Sequence, residues 1–273
     1  MKRKIVPTQN IAAGVAMINR LSSHSQPLGL IYGGAGLGKT ALTEEILKSG
    51  DVVYVRACEA WRTSRGMMLK DILNAVVPRW GAEWHSTEYL YRTLLDELRT
   101  RPNLILLLDE SDYLARGKHH DLLNAIRDLA DGAGIRVVFI SINSLARLLA
   151  SPTEFLEAVS SRIGGMVEFR RCSLADASLL ARELVEGVAF EREVIVECLR
   201  ASNGSIRVLL GLFAQLEQRA HAAKLDALKL TDCVDFGILA PPATPAKAST
   251  AKSATVPISL SALTDLPVRS AVG

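Results

Sequence analysis

Little in this chain is extreme, and its shortages exclude several classes at once. Only four cysteines, Cys58, Cys172, Cys198 and Cys233, are spread over 273 residues, and no two form a C-x-x-C pair. That spacing argues against a disulfide framework or a zinc site and suits a reducing compartment. Long apolar runs are also missing. The longest strand-like stretches, Leu104–Leu108 and Val137–Ile142, fall well short of the ~18 residues that span a bilayer. The start, Met1-Lys2-Arg3-Lys4, is basic, but no apolar stretch follows it as in a secretory signal. The chain therefore reads as cytoplasmic, with no membrane partner. Charge of one sign is scarce too: 32 Lys and Arg against 29 Asp and Glu leave a formal net charge of +3. That balance permits a nucleic-acid partner without demanding one.

What the chain does carry is a glycine-rich octapeptide, Gly33-Gly34-Ala35-Gly36-Leu37-Gly38-Lys39-Thr40. It fits G-x-x-x-x-G-K-[ST], a loop whose backbone N–H groups wrap the phosphates of a nucleotide. The flanks agree. Leu28-Gly29-Leu30-Ile31-Tyr32 has strand length and character, and Thr40 to Lys48 has helical spacing that stops at Ser49-Gly50. The glycines let backbone approach phosphate closely, and the following helix directs its positive dipole end at the anion. Lys39 is expected on the β- and γ-phosphates and Thr40 on Mg²⁺.

The rest of the pattern alternates. A first helix begins near Thr8 or Asn10 and places Ile11, Val15, Ile18 and Leu21 on one face. Further strands are expected at 52–55, 104–108, 135–142 and 167–169. Helices between them include a long region after 55 that breaks near Pro78-Arg79-Trp80-Gly81 and resumes from Ser86 or Thr87 to Arg99. Strand–helix alternation predicts an α/β fold, a parallel sheet flanked by helices with right-handed crossovers. From Ser173 the spacing is helical throughout, with Ile206, Leu209, Leu210, Phe213 and Leu216 marking one amphipathic helix. The expected organisation is a basic start and helix over 1–27, the α/β core over 28–172, a small all-helical second domain over 173–235 and a disordered tail over 236–273. The tail opens with Pro241-Pro242-Ala243-Thr244-Pro245 and is rich in Ala, Ser, Thr and Pro.

Four further positions carry chemistry. Asp109-Glu110 follows the uninterrupted apolar run Leu104–Leu108, so the pair stands at a strand's carboxyl end, where open α/β sheets bind ligands. Asp109 there can hold Mg²⁺ opposite Thr40, and Glu110 can polarise a water towards the γ-phosphate. The strand 135–142 ends at Asn143-Ser144; the Asn143 amide suits the task of orienting that water, with Ser141 as the fallback. Arg162 precedes the last strand and Arg207 opens the long helix, where a cation opposes the helix dipole. Either arginine can neutralise charge developing on a γ-phosphate.

Taken in order, these motifs resemble the AAA+ ATPases over residues 5–235. Within that superfamily, Ile31–Thr40, Leu104–Leu114 (LILLLDESDYL) and Ser160–Phe169 (SSRIGGMVEF) look most like the small ATPases that assist DNA transposition, among them the target-selection ATPases of Mu-like transposable phages. The resemblance implies an AAA+ core followed by a helical lid. It makes Glu110 the catalytic base, Asn143 the first nucleotide sensor, Arg162 a finger acting on a neighbouring subunit and Arg207 the lid sensor. It also implies ATP and Mg²⁺ as cofactors, self-association into a ring or helical filament on double-stranded DNA without sequence preference, and a transposase as partner, in the cytoplasm of a bacterium or a phage-infected host. Because 27 residues precede the first strand, DNA contact is expected from the ATPase domain itself, through Arg62, Arg65, Lys70 and Arg79, with Arg56, Trp61 and Trp80 nearby. The competing expectation keeps the ATPase and changes the client to a helicase, as in a loader, or to a secretion complex.

Overall fold

Residues 22–33 bring the first strand in beneath a helix, and the alternation expected from the sequence follows. The structure, a computed structural model, describes residues 1–2, 4–48, 50–78, 85–115, 121–150 and 153–239. The first part runs α1 (Gln9–Arg20), β1 (Leu28–Gly33), α2 (Lys39–Ile46), β2 (Val52–Arg56), a 3₁₀ turn (Glu59–Thr63), α3 (Arg65–Val76), α4 (Thr87–Arg99) and β3 (Ile105–Asp109). It continues through α5 (Asp112–Ala115), α6 (Asp121–Ala133), β4 (Arg136–Ser141), α7 (Asn143–Ala150), α8 (Glu157–Ser160) and β5 (Ile163–Phe169). Among the described residues these strands form one five-stranded sheet of order β2-β3-β4-β1-β5, with every neighbouring pair parallel. The carboxyl ends of β3, β4 and β1 therefore stand side by side.

Two apolar layers hold the sheet. On one face Leu28, Leu30, Leu106, Leu108, Val137 and Phe139 pack with α3, α4, α6 and α7 through Met68, Leu94, Ile126 and Leu145. On the other, Ile31, Ile105, Leu107, Val138 and Ile140 meet α1 and α2 through Met17, Ile18, Leu42 and Ile46. Consecutive residues of β3 thus point to opposite cores, which is why its sequence has no polar interruption. α4 starts where expected, because the Ser86 hydroxyl accepts the Tyr89 N–H at 3.2 Å and caps it.

β5 begins earlier than the sequence suggested. The strand expected at 167–169 starts at Ile163, so Ile163-Gly164-Gly165 all lie in it. The glycines are there for close approach. A Cβ on Gly165 would lie 2.6 Å from Met17 Cγ, one on Gly29 would lie 2.9 Å from Met17 Sδ, and these two glycines are register partners across β1 and β5. Together they make the hollow into which α1 sinks Met17.

Beyond β5 come α9 (Leu174–Leu184), β6 (Ala189–Phe190), α10 (Arg192–Ala201), α11 (Ile206–Ala222), β7 (Ala227–Leu228) and α12 (Leu230–Asp235). The region is helical as expected, with one addition: β6 and β7 form a two-residue parallel ladder. Its own core gathers Leu180, Leu184, Val194, Cys198, Leu209, Phe213 and Leu216, and includes Val6 from the amino-terminal segment. The Lys2 N–H also donates to the Leu184 carbonyl at 2.8 Å. The basic start is therefore packed on the lid, and lid packing continues past Asp235 to Leu239, which is 5% exposed. The described residues group as one unit. Arg79 and Trp80, and the tail from residue 240 on, lie outside the described residues. No helix among the described residues is long and apolar enough to cross a membrane.

Candidate active site

The loop after β1 returns to the start of α2 by using backbone that side chains resist. Gly33, Gly36 and Gly38 adopt φ of 149°, 76° and 98°, the region where glycine alone is unstrained. Gly36 is fixed twice over. A Cβ there would lie 2.6 Å from Ser205 Oγ, and its carbonyl accepts the Arg207 N–H at 3.1 Å. The first turn of α11 thus seats the lid directly on the glycine loop. Lys39 Nζ donates to the carbonyls of Gly33 and Gly34 at 2.7 and 2.8 Å, curling over the loop that precedes it. Burial favours its neutral form and pulls its pKa down, against the opposing charges of Asp109, Asp112 and Glu110; Arg207 adds to the lowering.

A cavity of about 320 Å³ runs along this loop, lined by Ala35, Gly36, Gly38–Ala41, Asp109, Glu110, Ile140–Ile142, Ile206, Arg207 and Leu210. Of the positions singled out in the sequence, it brings together the glycine loop, Lys39, Thr40, Asp109, Glu110 and Arg207. Asp109 Oδ1 accepts the Glu110 N–H at 2.8 Å, and Oδ2 accepts the Tyr54 hydroxyl at 2.9 Å. Burial and this hydrogen bond push the Tyr54 phenol up to about 12, so it remains a donor. Glu110 has φ of 53°, uncommon for a residue with a side chain. Its carboxylate lies 3.4 Å from Arg56 Nη2.

Two positions stand elsewhere. Ser141 and Ile142 line the cavity, whereas Asn143 opens α7 and lines an adjoining one of about 520 Å³ with Gly33–Ala35, Arg170 and Arg171. Arg162 precedes β5 at the amino edge of the sheet, where its carbonyl accepts the Leu28 N–H at 3.1 Å. The 7 residues of β5 put it about 23 Å from the glycine loop at roughly 3.3 Å per residue. Its guanidinium pairs with Asp131 at 3.0 Å. Among the basic residues after β2, Arg62 pairs with Glu59 and Arg65 lies 3.7 Å from Asp121, while Lys70 is half-buried on α3. Trp61 is fully buried and donates through Nε1 to Asp71 at 2.6 Å, so it serves the core and offers no stacking surface.

Sequence reasoning missed four contributors. Tyr54 and Arg56 alternate along an edge strand and so share the face that Asp109 and Glu110 reach; the period-two pattern alone contained that signal. Asn10 was weighed only as a cap. Its amide donates to the Leu37 and Arg170 carbonyls at 3.3 and 2.8 Å and accepts the Arg170 N–H at 3.1 Å, tying α1 to the glycine loop and the end of β5. Thr8 occupies the cap position without capping. Its hydroxyl is buried without a hydrogen-bond partner, and the residue lines a third cavity of about 530 Å³ with Val6, Gly38, Ala41, Leu180, Ile206 and Leu210.

Residues 22–149 match the family model of the AAA domain. No curated protein matches. Solved structures with a similar fold include the Orc1 protein of Aeropyrum pernix in complex with DNA, 19% identical with a TM-score of 0.56, over 83% of this chain and 63% of that one. Cdc6p from Pyrobaculum aerophilum is 15% identical with a TM-score of 0.59, over 83% and 65%. The Orc2 protein of Aeropyrum pernix, solved as ADPNP–ADP complexes, is 19% identical with a TM-score of 0.61, over 87% and 70%. The chain thus spans a little under two thirds of the first two. The glycine loop, the acidic pair at the tip of β3 and the five-stranded parallel sheet give the chain the AAA+ P-loop fold, and the residues suited to a nucleoside triphosphate with Mg²⁺ line one cavity.

Proposed function

We propose that this ATPase is an ATP-dependent DNA-binding protein that assembles into a ring or helical filament on double-stranded DNA, selects a transposition target and stimulates a transposase, with hydrolysis controlling the assembly. One observation carries the reading: Lys39, Asp109, Glu110 and Arg207 share a cavity, while Arg162 lies at the opposite edge of the sheet. A site completed by a second copy of the chain accounts for both placements.

Within one subunit, the loop amides and the start of α2 cradle the triphosphate. Lys39 exchanges the Gly33 and Gly34 carbonyls for the β- and γ-phosphate oxygens. Thr40 and Asp109, which line the cavity, would hold Mg²⁺, and the ion would supply neutralising charge there. The Tyr54 hydroxyl, donating to Asp109 Oδ2 at 2.9 Å, orients that carboxylate. Glu110 takes the proton of the attacking water. Arg207, at the start of α11, meets the charge that develops on the γ-phosphate and ties lid position to nucleotide state. The β4 tip, through Ser141 or Asn143, orients the water. In the neighbouring subunit Arg162 exchanges Asp131 for the γ-phosphate, as a finger supplied in trans.

DNA contact is assigned to Arg62, Arg65, Lys70 and Arg79. The pairing of Arg62 and Arg65 with carboxylates makes each contact weak, so multiplication by assembly is needed. The sequence resemblance supports the transposase as client. The similarity to structures named Orc1, Orc2 and Cdc6p favours a second reading, in which the same ATP-driven assembly on DNA serves another client such as a helicase. Sedimentation with ATP, Mg²⁺ and duplex DNA tests the shared part: fast-sedimenting complexes that dissolve as salt rises are expected. A protein that stays monomeric in every nucleotide state would refute assembly, and co-purification with a transposase or a helicase decides the client.

A further inference from the structure

Asp112 does not line the nucleotide cavity, yet it is 4% exposed and sits directly behind it. A buried carboxylate is tolerated when its oxygens are satisfied, and both are. Oδ2 accepts the Ile142 N–H at 2.7 Å, and Oδ1 accepts the Ser144 hydroxyl. Ile142 is the first residue beyond β4 and Ser144 lies in α7, so both bonds cross from the turn after β3 to the turn after β4. A third bond runs the same way, from the Ser111 N–H to the Ile140 carbonyl at 3.0 Å. The segment so fixed begins at Glu110, whose φ of 53° persists only where surroundings impose it. α5, at 4 residues, is too short to hold that turn by itself. The Ser111 hydroxyl, bonded to the Leu108 carbonyl at 2.6 Å, anchors the turn to its own strand but not to the neighbouring one. The side-chain link between the two strand tips is Asp112.

We propose that Asp112 is a positioning residue for ATP hydrolysis: it clamps the β3 turn bearing Glu110 to the β4 tip that forms the opposite wall of the same cavity, so that base and wall keep one geometry. The clamp touches neither nucleotide nor water. Its effect is on the placement of a proton acceptor, where displacements of an ångström cost about a hundredfold in rate. The proposal rests on Glu110 being the base, and it differs from that reading in what it makes fail. A lost clamp lowers kcat and leaves the phosphate cradle, and hence ATP affinity, in place.

Two sites test it in the full chain, with kcat, KM and equilibrium binding of ATP measured per binding-competent site. Asp112→Asn keeps the shape but leaves one side of the group unable to accept, and is expected to lower kcat by about ten- to a hundredfold. Its ATP dissociation constant should move by less than about twofold, since no loop contact is lost. Ser144 is exposed, so Ser144→Ala folds even where Asp112→Asn does not. It should lower kcat by about threefold or more for one lost bond, and Ser144→Thr, which restores a hydroxyl, should recover the parent rate. Loss of stability alone would reduce the number of binding sites without this kcat-specific pattern or its rescue. Parent kcat in both Asp112→Asn and Ser144→Ala, or a raised KM with kcat unchanged, would overturn the clamp while Glu110 stands. Glu110→Gln hydrolysing at the parent rate would remove the base reading and the clamp together.

Discussion

At the amino edge of the sheet, charged groups are paired off: Arg101 grips Asp51 through Nε at 2.9 Å and through a second nitrogen, Arg162 meets Asp131 at 3.0 Å, and Arg136 donates to the Asn103 carbonyl at 3.0 Å. At the carboxyl edge, Lys39 holds backbone carbonyls, Arg56 holds Glu110 at 3.4 Å, and the chain turns through positive φ at Gly33, Gly36, Gly38 and Glu110. The same five strands thus end in local satisfaction on one side and, on the other, in turns that glycine takes freely and Glu110 takes only under strain. Strain of this kind persists where the surrounding fold over-determines it, and it concentrates where chemistry is done. Arg162 is the residue that crosses the division, since it is paired like a structural ion and assigned a catalytic task in a second copy.

Substitutions probe that division in order of expected effect. Arg162→Ala should cut turnover of the DNA-assembled protein by about a thousandfold, the scale of an arginine finger. Its unfolding free energy should fall by less than about 1 kcal/mol, as for an exposed ion pair. Unchanged turnover in sedimenting assemblies would return Arg162 to the purely structural edge. Lys39→Ala should weaken ATP binding roughly a hundredfold, about two charge-assisted hydrogen bonds, with calorimetric titration as the check; parent affinity would mean that the loop does not cradle phosphate. Arg56→Ala frees the Glu110 carboxylate and should raise basal turnover by up to about fivefold, the worth of an exposed pair. A fall in turnover instead would make Arg56 a contributor to the site.

The smallest effect concerns the quiet edge and its pH dependence. The Arg101 guanidinium holds the Asp51 carboxyl below its ordinary value. Its contribution is therefore present above the unfolded carboxylate pKa of about 3.9 and disappears as pH falls through the lowered native value. With both partners partly exposed, it should amount to less than about 1 kcal/mol. Thermal unfolding of Asp51→Asn should converge on the parent as pH falls below the lowered native value and fall short of it at pH 7. A deficit that persists at low pH would assign the loss to packing.

The carboxyl edge was legible in the sequence to the extent that its chemistry is written in consecutive residues. The glycine loop, Lys39-Thr40 and Asp109-Glu110 each depend on local spacing, and apolar runs such as 104–108 declare burial on both faces. What could not be read depends on pairs far apart in the chain. Tyr54 meets Asp109, Asp112 meets Ile142 and Ser144, and Asn10 meets Arg170, and no periodicity encodes those contacts. The start of β5 was also illegible, because the value of Gly165 lies in admitting Met17 from a distant helix. Trp61 misled, because an aromatic among arginines looks like a nucleic-acid platform until its burial and its bond to Asp71 are seen.

The central claim is that the strained carboxyl edge hydrolyses ATP through Glu110. Its most direct test is a single-turnover measurement of phosphate release by Glu110→Gln, alongside equilibrium binding of ATP to the same protein. The account predicts ATP affinity within about twofold of the parent and phosphate release slower by about a hundredfold or more, the usual contribution of a general base. Phosphate release at the parent rate, from protein that binds ATP normally, would contradict it.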